Sequence, residues 1–191
     1  IIVPGYDYKI VKMLVTNCAK RFEIILVNSV FDVINSSYNR EKVLNVLKCG
    51  LMSFTQEEIS NFENYLLMWD IKGSRFTKPF TDNPRGFVSE FSKGDQKLLD
   101  QINRVRETLI TPIVKFREFS KEQDPSVITK NLYNLLIAYK IPENIVSMCQ
   151  TLTNSGEDDF SDEQRRLWDI LMNVLDKMYS ILEGQKLSLK E

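Results

Sequence analysis

Histidine is absent from all 191 residues. That absence removes the Ser-His-Asp triad, the Cys-His pair, every His-bearing zinc site and the Glu-x-x-His motif of di-iron bundles. Most hydrolase mechanisms go with them. Glycine is scarce at seven residues, and none falls in a Gly-x-x-x-x-Gly-Lys-Ser/Thr loop or a Gly-x-Gly-x-x-Gly turn, so nothing in the chain reads as a nucleotide cradle. The three cysteines, Cys18, Cys49 and Cys149, are odd in number and far apart. With no Cys-x-x-Cys pair to suggest zinc, redox chemistry or an iron-sulfur cluster, they read as buried thiols in a reducing compartment. No apolar run approaches the roughly 20 residues of a membrane helix, and the N-terminal IIVPGYDYK lacks the charged and apolar regions of a signal peptide. A cytoplasmic location and no membrane partner are expected.

What is present is ordinary for a globular protein: 43 % apolar and 27 % charged residues, in a chain long enough to bury a sizeable core. The segment 8–16, YKIVKMLVT, reads as a possible strand. From Phe22 to Asn35, Phe22, Ile25, Leu26, Val30, Val33 and Ile34 recur at helical spacing. Asn39 offers an N-cap for a helix through Leu47 that stops at Gly50. Thr55 and Glu58 fit a capping box that opens a helix to about Trp69. Residues 71–94 hold three glycines, two prolines and no helical period, which predicts a long loop of the kind that is usually functional or mobile.

Beyond Asp95 the stripe Leu98, Ile102, Val105, Leu109, Ile113 and Phe116 marks a long amphipathic helix that Pro112 should kink or divide. Pro125 behind Asp124 starts another helix with Leu132, Leu135, Leu136 and Tyr139 inward. Pro142 restarts the chain through about Leu152. Ser161 to Gln164 reads as a second capping box, followed by the period Leu167, Ile170, Leu171, Val174, Leu175, Met178 and Leu182 up to Gly184. The final KLSLKE reads as a cap and first turn without the helix that should follow, the ending expected of a piece of a longer protein. The fold class is therefore all-α: a short-looped antiparallel array of about seven to eight helices, with residues 21–191 as the helical domain. No internal repeat supports a solenoid.

The net charge of −1 hides a gradient. Residues 71–120 carry 10 basic and 6 acidic groups, whereas residues 121–191 carry 8 and 12. In the predicted loop, Lys72, Arg75, Lys78, Arg85 and Lys93 alternate with Phe76, Phe80, Phe87 and Phe91. Cations beside stacking rings suit a single-stranded nucleic acid. The same letters also describe phenylalanines tucking a loop onto a helical core with lysines left in water. Glu57-Glu58 and Asp158-Asp159 are adjacent pairs that point in different directions on a helix, and read as capping and solvent charges. Trp168, Met172, Met178 and Tyr179 are spaced as helix faces. Cys149 has no basic sequence neighbour to activate it.

One set of residues looks familiar. The run Tyr38-Asn39-Arg40-Glu41-Lys42-Val43-Leu44-Asn45-Val46-Leu47-Lys48-Cys49-Gly50-Leu51, then Glu57-Glu58-Ile59, Phe62-Glu63-Asn64-Tyr65-Leu66-Leu67 and Ile71-Lys72-Gly73-Ser74-Arg75-Phe76, resembles the AddB family. AddB, called RexB in some bacteria, is the B subunit of the bacterial ATP-dependent helicase-exonuclease that processes broken DNA ends. Two positions depart from the family's pattern, Asp70 standing where a glycine is usual and Phe76 where tryptophan is. The likeness continues more loosely through Ile102-Asn103-Arg104-Val105-Arg106-Glu107 with Pro112, and through Trp168-Asp169-Ile170-Leu171-Met172 to Leu187-Ser188-Leu189, so that it spans about residues 25–191, with residues 1–20 fitting as a lead-in strand and turn from a parent helicase core.

The resemblance implies a fragment similar to the helical insertion in the second RecA-like domain of a superfamily 1 helicase fold. ATP, magnesium and the iron-sulfur cluster belong to other parts of such a parent protein, and no catalytic or metal-ligating residue carries over to this chain. The implied function is a non-catalytic helical domain in DNA repair and recombination, helping to shape the DNA path. Its implied partners are DNA, the other domains of the parent chain and the A-type helicase-nuclease subunit. Lys72, Arg75, Lys78 and Arg85 are the candidate DNA contacts. Tyr65, Gly73, Phe76, Pro112 and Trp168 are structural candidates. A helical protein-protein interaction module unrelated to DNA is the alternative, and a His-free enzyme finds no pair of groups placed for mutual activation.

Overall fold

The computed structural model describes residues 22–87, 91–121 and 124–181. The possible strand at 8–16, the lead-in at 1–20, Cys18 and the Gly184 stop lie outside the described residues. Among the described residues seven α-helices follow one another: α1 (Phe22–Asn35), α2 (Arg40–Leu47), α3 (Gln56–Met68), α4 (Lys93–Phe119), α5 (Pro125–Ala138), α6 (Ile141–Asn154) and α7 (Asp158–Ile181). A short 3-10 turn, Gly73–Thr77, lies between α3 and α4, and no strand occurs among the described residues. The all-α expectation therefore holds.

Local chemistry places most helix ends. Asn39 accepts from the Glu41 amide at the start of α2, Thr55 and Glu58 form a reciprocal capping box at α3, and Asp124 accepts from Ser126 ahead of Pro125 at α5; each satisfies donors a helix start leaves open. A further box, Ser92 with Asp95, opens α4 two residues earlier than the apolar stripe suggests. At the end of α3, the Ile71 amide bonds the Leu66 carbonyl at 2.9 Å and the Asp70 amide that of Leu67 at 3.4 Å. This pairing places Asp70 in the left-handed region at φ 43°. That backbone state is one that glycine adopts without strain. Asp70 is instead held by ion pairs to Arg40 at 3.1 Å and Lys72 at 2.5 Å.

Two expectations need correction. Ser161 is no cap: α7 begins at Asp158, because Gly156 at φ 80° closes α6 through a Glu157 amide to Leu152 carbonyl bond of 2.9 Å and the chain re-enters a helix at once. Ser161 is buried inside α7, its hydroxyl reaching the Cys149 carbonyl at 3.3 Å. Pro112 does not divide α4, which runs unbroken for 27 residues. Proline removes one donor from the ladder, and in that same turn the buried Tyr139 hydroxyl donates to the Leu109 carbonyl at 2.6 Å. A neighbouring helix thus supports the turn that proline loosens.

Helix α4, about 40 Å long at 1.5 Å per residue, is the spine. It packs against α1, α3 and the 3-10 turn on one side and α5 on the other, while α7 packs on α5 and α6 and touches α1. A continuous core follows, from Leu26, Val30, Phe62 and Leu66 through Ile102, Leu109 and Ile113 to Leu136, Ile145 and Leu175. Burying each such side chain contributes roughly 1.5–3 kcal/mol. Cys49 and Cys149 are buried within it. Trp168 is half-buried against it. No described helix is long and apolar enough to cross a membrane.

Candidate functional site

The segment between α3 and α4 carries the basic and aromatic residues singled out in the sequence. Its phenylalanines divide. Phe76 and Phe80 enter the core, at 0 % and 5 % exposure, where Phe80 stacks on Tyr65 with centroids 5.0 Å apart. Phe87 is 93 % exposed, with one face 5.0 Å from the Trp69 ring, and Phe91 is also exposed. The tucked arrangement therefore describes half of the set.

Polar clamps fix the rest of the path. The Asn103 side chain, on α4, accepts from the Phe80 amide at 2.8 Å and donates to the Phe80 carbonyl at 2.8 Å, satisfying both backbone groups as a neighbouring strand would. Arg106 donates from Nε to Asn103 Oδ1 at 3.1 Å and reaches the Phe76 carbonyl at 3.4 Å. Its guanidinium also lies 5.8 Å from the Phe80 ring centroid. Burial lowers the pKa of this 8 % exposed arginine, the Glu107 charge partly offsetting it. Tyr65 accepts from the Asp82 amide at 3.1 Å and Trp69 Nε1 donates to the Asn83 carbonyl at 2.9 Å. Burial, then the Asp82 charge, pushes the Tyr65 phenol up to about 12.

The four candidate contacts fare differently. Lys72 pairs with Asp70 at 2.5 Å. Arg75 donates to the Trp69 carbonyl at 2.6 Å and to Asp82 at 3.0 Å, closing the loop on itself. Arg85 lies 2.6 Å from the carboxylate of Asp95, which is itself buried. The Ser92 hydroxyl, the Ser92 amide and then the Arg85 charge hold Asp95 below the usual carboxylate range. Lys78 alone of the four is exposed with no ion-pair partner among the described residues. Gly73, at φ 60°, starts the turn, and its amide bonds the Tyr38 carbonyl at 3.0 Å. An added Cβ there would meet Ser37 O at an ordinary 3.9 Å, so backbone conformation is what asks for glycine.

No group of histidine, cysteine, aspartate or glutamate among the described residues could hold a metal ion. Asn103 and Arg106, the residues that anchor the loop, were visible in the sequence only as part of the block resembling AddB. Their partners are 23 and 30 residues away.

No protein-family model matches the chain. Curated relatives do. The chain is 29 % identical over 171 residues to the B subunit of the ATP-dependent helicase/deoxyribonuclease of Caldanaerobacter subterraneus subsp. tengcongensis. It is 32 % identical over 174 residues to the protein of that name from Clostridium botulinum strain Hall, and 27 % identical over 169 residues to that from Thermoanaerobacter sp. strain X514. These matches cover 87–88 % of this chain and only 15 % of each relative. The likeness read from residues 38–76 thus extends along most of the chain.

Proposed function

We propose that this chain, which resembles one segment of an AddB-type helicase-nuclease protein over most of its length, serves as a non-catalytic helical domain in the processing of DNA ends. Its parent would act in the cytoplasm in DNA repair and recombination, with ATP, magnesium and an iron-sulfur cluster held by other domains. Partners would be those domains, the A-type subunit and DNA. The observation that carries the reading is the similarity itself, 29–32 % identity to one-seventh or so of proteins so named. The loop between α3 and α4 serves as a folded wall on which Lys78, the one of the four candidate contacts with no ion-pair partner among the described residues, faces the DNA path. Such a wall binds any sequence alike, because phosphates rather than bases are contacted.

Fluorescence anisotropy with labelled single strands and blunt duplexes of two unrelated sequences, at about 50 mM salt where phosphate contacts are strong, tests this. Equal, weak binding to both sequences is expected. Absence of binding would overturn the DNA contact and favour the second reading, a protein-docking module, for which exposed Leu67 and Met68 at the end of α3 and exposed Phe87 from the loop supply apolar surface.

A further inference from the structure

We infer that the cleft between the 3-10 turn and the C-terminal end of α4 seats a phosphodiester, and that a nucleic-acid backbone is its occupant. This rests on the DNA-contact reading above. The cleft has a volume of about 400 Å³ and presents Tyr38, Ser74, Thr77, Arg117, Glu118 and Lys121. That size suits a phosphate with its flanking sugar.

Charge state separates this cleft from the loop beside it. Lys72, Arg75 and Arg85 are committed to Asp70, Asp82 and Asp95, so a phosphate would have to displace a carboxylate to reach them. Arg117 and Lys121 have no carboxylate within ion-pair distance among the described residues. A cation that need not first give up a carboxylate gains most from meeting a phosphate, and the counterions condensed on the nucleic acid are released as it does. Arg117 is also held in place, its guanidinium 5.8 Å from the ring centroid of buried Tyr38, which reduces the freedom lost on binding. The Thr77 hydroxyl donates to the Ser74 carbonyl at 2.9 Å, and the Ser74 hydroxyl is left to donate to an incoming oxygen. Lys78 follows Thr77 directly in the chain and extends the positive wall.

Two cations and one carboxylate leave the lining at +1, which attracts any phosphate. Size sets the class: a bare phosphate ion leaves much of the roughly 400 Å³ unfilled, whereas a strand interior brings its flanking sugars with it.

Amide NMR of the whole chain with dimethyl phosphate and, separately, inorganic phosphate reads the cleft directly. DNA anisotropy of the wild type, the Arg117→Gln/Lys121→Gln double variant and Lys72→Gln reads its occupant. Expected are saturating shifts at Ser74, Thr77 and Arg117 with the diester and weaker ones with inorganic phosphate. DNA affinity should fall several-fold in the double variant, its salt slope flattening by about 2 units, with Lys72→Gln within about twofold of wild type. Exchanging the two cationic side chains, Arg117→Lys with Lys121→Arg, keeps both charges and should retain binding; loss through a damaged helix end would show as a lowered melting temperature in the Gln variant that tracks the binding loss. Unmoved cleft amides with both phosphate probes, or wild-type DNA affinity and slope in the double variant, would overturn the inference. Diester binding without any DNA binding would keep the seat, overturn the occupant and defeat the proposed function itself.

Discussion

Asn103→Ala probes the anchoring of the loop at its tightest point. Asn103 makes three bonds: two at 2.8 Å to the Phe80 backbone and one at 3.1 Å from Arg106. Each intramolecular hydrogen bond contributes about 0.5–1.5 kcal/mol net, and a buried group stranded without a partner costs about 1–3 kcal/mol. Phe80 is only 5 % exposed, so water reaches its backbone poorly. The sum is a loss of about 2–4 kcal/mol, or about 5–15 °C in melting temperature for a chain of this size. Urea denaturation followed by circular dichroism measures the stability, and hydrogen exchange at the Phe80 and Asp82 amides locates it. Both amides should lose protection while the α5 amides keep theirs. Asn103→Leu separates hydrogen bonding from packing, since it refills the volume without restoring a bond. Recovery of stability in the Leu variant, or a loss under about 0.5 kcal/mol in the Ala variant, would refute the reasoning.

The other expectations are briefer. Phe76→Ala removes a fully buried ring and should cost about 3–5 kcal/mol by chemical denaturation, whereas Phe87→Ala, at 93 % exposure, should change stability by less than about 0.5 kcal/mol. Tyr139→Phe deletes the bond to the Leu109 carbonyl and should cost about 1–2 kcal/mol in the same assay. The Thr55 amide first, then the Thr55 hydroxyl, lowers the Glu58 pKa against the opposing effect of burial, and the Ser92 hydroxyl and amide lower that of Asp95. A depressed folded pKa gives stability that is present above the ordinary carboxylate values of 4.5 and 3.8 and is lost as pH falls through the lower folded ones. Thr55→Val and Ser92→Ala should flatten that acid limb of the melting curve. Tyr65 has the opposite sense: its raised pKa leaves stability intact below pH 10 and removes it between 10 and about 12.

Helix starts were legible because their signals are local. Asn39, Thr55 with Glu58, and Asp124 with Pro125 each act within three residues of the group they satisfy. Apolar stripes such as Leu132, Leu135 and Leu136 likewise needed only helical spacing. Ser161 misled because its hydroxyl prefers a carbonyl on α6 to the amide of its own helix, and a local pattern does not reveal that competition. The ion pairs of the basic loop were hidden for a related reason. Counting its cations ignores Asp82 and Asp95, which fold back onto Arg75 and Arg85. Arg117 and Lys121, which have no ion-pair partner among the described residues, belong to a stretch that reads in sequence as the end of a helix, where positive charge is expected on dipole grounds alone. Only the fold brings them beside Ser74 and Thr77.

The most direct test of the DNA-path reading is the slope of log Kobs against log salt concentration for the intact chain on duplex DNA. Two or three phosphate contacts predict a straight line falling with a slope of about −2 to −3. A flat line, or no binding at the lowest salt, would contradict a phosphate-facing wall and turn attention to the apolar surface at Leu67, Met68 and Phe87.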